Sequence, residues 1–296
     1  MVHLYKMTRI TLDNNLQVEL DDSNQTAKVV ESPNASGNVV VPKSVNHQNK
    51  EYVIKSIEDC AFADNEKIES LSFANDSAVS VIGGSVFLQC TIRSLHLPAS
   101  IENLVVDFPY LARNLVDFKI PSSIQNYKYV DNTYLLGKGD SGNFDTLRFV
   151  RRDYEGKFVI PSGIKSINNS AFCSCTKITS IEFQSPCTLE RFDMNAFLEC
   201  SGLTSIQDIP ASVVEVDDRC FMDSTSLPSI KFLGENVKIG ECCFYQCYQL
   251  HTVSFPNGKH IKIGNDAFHD EPDDFKIEYP PGIDFEYKKP SESDSY

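Results

Sequence analysis

Residues 160–183 read Ile160-Pro-Ser-Gly-Ile-Lys-Ser-Ile-Asn-Asn-Ser-Ala171-Phe172-Cys-Ser-Cys-Thr-Lys-Ile-Thr-Ser-Ile-Glu-Phe183. The same order of residue types returns around Phe62, Phe87, Phe197, Phe221, Phe244 and Phe268, at spacings of 23 to 25 residues within each block. Counted from each Phe, position −5 is apolar (Ile57, Ile82, Ile167, Phe192, Val216, Ile239, Ile263), and −1 is a small residue or Val. Position +3 is Cys90, Cys175, Cys200 or Cys247, with Asn65 and Ser224 in the same slot. Positions +6, +9 and, in most copies, +11 are apolar, as in Ile178, Ile181 and Phe183. Such a period marks a solenoid: one unit cannot bury its apolar side alone, so the units stack on a shared core. Each repeat then supplies a strand and a sharp turn. Position −4 (Glu58, Gly83, Asn168, Asp193, Asp217, Gly240, Gly264) is rich in residues that tolerate positive φ, so the left-handed backbone is expected there.

A chain of 296 residues with 41% hydrophobic content has ample core for one long array. Its net charge of −14 and scattered Lys and Arg exclude a nucleic-acid partner as the working expectation. No apolar run approaches the roughly 20 residues that span a bilayer. The first residues, Met1 to Arg9, lack the apolar stretch of about 7 to 15 residues that a signal peptide carries, and the expected location is the cytosol. Eight of the ten cysteines occupy repeat slots, four at +3, two at −1 and two at −2, which points to reduced, core-lining thiols. Cys173 with Cys175, and Cys242-Cys243 with Cys247, are the best metal candidates, but no His completes a tetrahedral set, and no metal or cofactor is expected. Asn24, Asn34, Asn75 and Asn168 begin glycosylation sequons.

Along the chain, residues 1–57 alternate apolar and polar residues between turn clusters, which predicts a β-rich N-terminal cap of short antiparallel strands. Residues 58–124 form a first repeat block. Residues 125–157 break the phase and predict a hairpin insertion around Gly137-Lys-Gly-Asp-Ser-Gly142. Residues 158–285 form a second block, and residues 286–296 a polar, disordered tail.

The segment 160–183, with 197–212 and 244–268, resembles the BspA-like class of leucine-rich repeats, whose pattern is Ala-Phe-x-x-Cys-x-x-Leu-x-x-Ile-x-Phe-Pro. The cap and the Thr146-Leu-Arg-Phe-Val-Arg-Arg152 hairpin are also similar to the large BspA-like sets of flagellated parasitic protists. The resemblance covers about two thirds of the chain. It implies a mainly β leucine-rich repeat solenoid with parallel strand ladders, short or helical turns at each Ala-Phe, and a non-enzymatic, protein-binding role. Bacterial members are surface adhesins, whereas this chain shows neither their signal sequence nor their anchor.

Side chains alternate across a strand, so with +9 and +11 inward, +8 and +10 face solvent. The +8 row is Ser70, Ser94, Ser180, Ser205, Ser229 and Thr252, a hydroxyl ladder. The +10 row is Ser72, His96, Glu182, Gln207, Lys231 and Ser254, polar and variable. Glu182, Gln207 and Lys231 are expected to project side by side from successive coils. A second candidate surface is the hairpin, where Tyr129, Tyr134, Arg151 and Arg152 offer aromatic and arginine anchors. The bland alternative is that Ser and Thr merely tolerate a solvated strand face.

Three functions compete: an intracellular protein-binding or cytoskeletal scaffold, a cell-surface adhesin for host proteins, and a polysaccharide-cleaving β-solenoid. The last is disfavoured, because the six His are dispersed and the outward rows are hydroxyl and amide rather than paired carboxylates.

Overall fold

The computed structural model describes residues 8–105 and 108–287, in two compact units that divide at Asn132/Thr133. The predicted tail beyond residue 287 and the first seven residues lie outside the described residues. Both units are built almost wholly of strands in parallel ladders, and the only helical piece described is the three-residue turn Asp13–Asn15.

In the first unit, Thr26–Val29, Lys50–Ile57, Val81–Ile82 and Asn103–Leu104 stack in parallel as one sheet. Gly37–Val41, Ile68–Phe73, Ser94–His96 and Asp117–Lys119 stack as the other. Thr8–Thr11, Gln17–Asp21 and Thr26–Val29 are antiparallel, as expected of the N-terminal region. The solenoid nevertheless starts earlier than the repeat Phe suggests, because Thr26–Val29 and Gly37–Val41 already pair in parallel with repeat strands.

In the second unit, Tyr134–Gly137 and Thr146–Val150 form an antiparallel hairpin. Its second strand begins a parallel ladder through Ser166–Ile167, Arg191–Phe192, Glu215–Val216, Asn236–Ile239, His260–Ile263 and Asp284–Tyr287. Two further ladders contain Gly156–Ile160, Ile178–Phe183 and Ser205–Ile206, then Ser229–Lys231, Thr252–Ser254 and Lys276–Glu278.

The repeat Phe form a column of rings, because coils repeat at the spacing of neighbouring strands. Phe172, Phe197, Phe221, Phe244 and Phe268 stack at 4.6, 4.9, 5.3 and 5.3 Å, with planes within 12° of parallel. Phe62 and Phe87 stack at 6.0 Å in the first unit.

The left-handed backbone sits at −2 and +2, not at −4. Ser170 and Ser174, Asn195 and Glu199, Arg219 and Asp223, and Cys242 and Gln246 all have φ between 51 and 60°. These residues donate to the next coil: Ser170 N–H to the Met194 carbonyl, Ser174 N–H to Leu198, with Phe172 N–H bonding Ala196 between them. The alternate amides close four-residue turns, as in Cys173 to Ser170 and Cys175 to Phe172. Every one of these turn amides is thereby satisfied, and the coil-to-coil bonds offset the strain of non-glycine residues at positive φ. Glycine recurs at −4 for a different reason. A Cβ on Gly83 would lie 2.6 Å from the Asp59 amide of the preceding coil, and one on Gly264 2.7 Å from the Glu241 amide.

The +3 slot is more than a small apolar position. Cys200 Sγ donates to the Phe172 carbonyl at 3.1 Å, Ser224 Oγ to Phe197 at 3.0 Å and Cys247 Sγ to Phe221 at 3.1 Å. A short side chain with one proton caps a carbonyl of the previous coil, which explains why Cys and Ser interchange there. Asn65 meets the same need with two donated bonds, to the Ser32 and Ala35 carbonyls.

Candidate functional site

The outward rows lie where strand alternation places them. In the first unit Asn38, Ser70, Ser94 and Asp117 are in register, as are Val40 with Ser72 and His96 with Lys119. Ser70 Oγ donates to Asn38 Oδ1 at 2.7 Å, and Ser94 Oγ to Asp117 Oδ2 at 2.8 Å. His96 Nε2 lies 2.8 Å from the same Asp117 oxygen and 3.1 Å from Ser94 Oγ. Ser, His and Asp thus meet, but not as a nucleophilic relay: a relay needs the carboxylate on one ring nitrogen and the hydroxyl on the other. Here both converge on Nε2. Burial works against the Asp117 charge, yet the bonds from His96 and Ser94 prevail and hold its carboxyl below the usual range.

In the second unit Lys157, Ser180 and Ser205 are in register, and so are Ser229, Thr252 and Lys276. The +10 neighbours are Val159 with Glu182, and Lys231 with Ser254 and Glu278. Glu182 pairs with Lys157 at 3.2 Å. The expected side-by-side set of Glu182, Gln207 and Lys231 does not form. The coil after Ser205–Ile206 holds one extra residue, so Ile209 bridges Phe232 and Lys231 meets Asp208, at 2.6 Å. Gln207 turns its Oε1 back to accept from the Phe183 amide at 2.8 Å.

The hairpin anchors separate by environment. Tyr129, in the first unit, packs edge-on against Phe118 at 5.3 Å, and Tyr134, in the second, edge-on against Phe158 at 5.6 Å. Arg151 is bound by Asp153 through Nε at 2.7 Å and Nη2 at 2.8 Å. Arg152 corrects the sequence reading: it is 3% exposed. Its guanidinium donates to the Ala171, Ser170 and Val150 carbonyls and lies 4.9 Å from the Phe149 ring centre. The Ala171 and Ser170 carbonyls already accept from the Val150 and Cys173 amides, so Arg152 fills their second acceptor positions and ties the turn to the hairpin strand. It is an internal clasp, not a surface anchor.

All ten cysteines are free, and seven are buried. Burial pushes the Cys90 and Cys175 thiols up to about 11, and those of Cys200, Cys220 and Cys243 well above the ordinary range. A thiol that does not ionise is a poor nucleophile and a poor metal ligand. Among the described residues, no three His, Cys, Asp or Glu converge to hold a metal ion. Nor does any helix of the described residues have the length and apolarity to cross a membrane.

Comparison with known families accounts for this architecture. The BspA type leucine-rich repeat region matches in six copies over residues 43–131 and 151–273. The chain belongs to the BspA-type leucine-rich repeat family. A leucine-rich repeat protein from Eubacterium ventriosum is similar over 92% of this chain and 85% of its own, at 16% identity and a TM-score of 0.61. The pneumococcal vaccine antigen PcpA is similar over 93% and 94%, at 14% identity and a TM-score of 0.51. At these identities the likeness is one of fold. No curated protein sequence matches the chain.

Proposed function

We propose that this BspA-type chain is a non-enzymatic scaffold that docks other proteins, working inside the cell as part of a larger assembly such as a cytoskeletal array. The observation that carries the docking role is the unspent hydroxyl row of the second unit. Ser180 with Ser205, and Ser229 with Thr252, stand in register in two separate ladders, and their hydroxyls bond no other side chain or backbone group among the described residues. Beside them the +10 row varies in charge, which suits a face where the ladder gives a flat support and the variable row gives specificity.

The test is a charge exchange, Glu182→Lys with Lys231→Glu, which leaves net charge and core unchanged. Both native pairs are more than one third exposed, so stability should change by under about 1 kcal/mol. A partner recovered with the parent chain and then purified should bind the exchanged chain at least about tenfold more weakly. Equal binding would remove this face from the reading.

The intracellular placement is supported by the thiols. Native protein should expose Cys60 readily and Cys187 and Cys242 partly to a thiol reagent, and should yield ten free thiols in denaturant without reductant. Fewer than about eight would favour the adhesin reading, which draws support from three exposed sequons, at Asn24, Asn34 and Asn75. Asn168 is buried and unsuited to a glycan. A glycosidase shift on material from the source cell tests the same point.

A further inference from the structure

Along the turn edge of the second unit, the position after each repeat Phe changes character. It is Cys173 and Leu198 in two coils, both buried, and Met222, Tyr245 and His269 in the next three, all partly exposed. The Tyr245 and His269 rings stack at 5.0 Å with 20° between their planes. Tyr248, three residues on, is 47% exposed. The core does not require these rings, because Phe244 and Cys247 already fill the inward side of the same turn. Four aromatic or thioether side chains are held outward on a stiff edge; Tyr245 and His269 each cover one face of the other, and Tyr248 is the most exposed of the four.

Carboxylates flank them on both sides. At +2, the Asp223 amide donates to the Tyr245 carbonyl at 2.9 Å, and the Asp270 carboxylate lies 3.2 Å from His269 Nδ1. At −3, Asp218 and Glu241 stand in adjacent coils, with the Glu241 amide bonded to the Asp218 carboxylate at 2.7 Å. Burial, and after it the Asp270 charge, pushes the Tyr245 phenol above its ordinary range. An aromatic face attracts a cation through its quadrupole, and nearby carboxylates reinforce the attraction. Tyr is among the residues that anchor interfaces, and the overall charge of −14 draws cationic partners towards the chain.

We propose that this edge docks a basic, extended segment of a partner protein, with an Arg or Lys over the Tyr245–His269 pair and its neighbours beside Asp223 and Asp270. The proposal rests on the protein-binding reading and gives the partner a charge and a shape. It places the contact on the turn edge, apart from the Ser180–Thr252 row.

The probe is a short fluorescein-labelled peptide of alternating Arg and Ser, followed by anisotropy at several salt concentrations, with a Glu and Ser peptide as control. The parent should bind the Arg peptide and not the Glu peptide. Affinity should fall at least about tenfold in Tyr245→Ala/Tyr248→Ala and in Asp223→Asn/Asp270→Asn, and the asparagine variant should also flatten the salt dependence. Tyr245→Leu/Tyr248→Leu keeps apolar bulk, guards against a folding defect, and should weaken binding as well. The Glu182/Lys231 exchange should bind as the parent does. Undiminished binding by both tyrosine variants, with loss only in the asparagine variant, would reduce the edge to diffuse acidic attraction and overturn the proposal. A parent that ignores the Arg peptide while still capturing its purified partner overturns the edge and leaves the scaffold reading intact. A parent that captures no partner at all overturns the scaffold reading instead.

Discussion

Replacing Phe221 by alanine is expected to cost about 3 to 5 kcal/mol, and Phe197→Ala a similar amount. Phe221 is fully buried, with Phe197 stacked at 4.9 Å on one side and Phe244 at 5.3 Å on the other, and Phe192 edge-on at 6.0 Å. Truncation therefore opens a cavity in the middle of a ring column and removes two stacking contacts. Each coil touches only its neighbours, so the loss falls on the coils around it and local opening should spread from there. Urea melts measure the cost, and hydrogen exchange locates it: amides such as Phe197 to Cys220 and Phe221 to Cys243 should lose protection first. Phe221→Leu, which keeps most of the volume, should cost much less. Melts of Phe197→Ala and Phe221→Ala that match the parent within a degree or two would refute the shared role of the repeat Phe.

The ring column was legible because hydrophobic periodicity survives in any register of reading: Phe at one phase, with apolar residues at −5, +6 and +9, admits few other folds. The chemistry at −4 was not. Glycine signals freedom of φ, but at Gly83 and Gly264 its missing Cβ is what matters, since a backbone of the preceding coil fills the space. The true left-handed positions carry Arg219, Glu199, Gln246 and Cys242, residue types that give no composition signal, because bonds between coils impose the conformation. The slip that parts Gln207 from Lys231 did leave a trace: position +11 after Phe197 is Asp208, and the apolar residue comes one later, at Ile209. Arg152 left none. An arginine beside another arginine reads as surface until the carbonyls that it clasps are located in space. The outward rows were legible from alternation alone, whereas the aromatic change along the turn edge needed the fold to show that +1, buried at Cys173 and Leu198, opens to solvent from Met222 onward while −1 and +3 face the core.

Asp193→Asn is expected to stabilise the protein at pH 7 and to leave it unchanged near pH 4. Asp193 occupies the −4 slot, its side chain only 19% exposed, 3.0 Å from Arg191 Nε. Burial comes first, the Arg191 charge opposes it, and the Asp217 and Glu215 charges add to it, so the carboxyl is pushed up to about 6. In the unfolded chain it ionises near 3.8. Between these values the folded state holds more protons than the unfolded one, so stability falls as pH rises from about 4 to about 6. Above that window the full cost of the buried charge is present, at most about 3 kcal/mol. Asparagine keeps a polar group of the same shape and never ionises. It gives up the attraction to Arg191, which is 56% exposed and a weak partner for that reason. The net gain at pH 7 is about 2 kcal/mol, or about 4 to 8 °C in Tm. Melts of parent and variant at intervals from pH 4 to pH 8 should converge at the acid end and separate through pH 5 to 6. A constant offset across that range would show that the gain is one of packing, and a variant less stable at pH 7 would show that the Arg191 pair outweighs the burial of the charge.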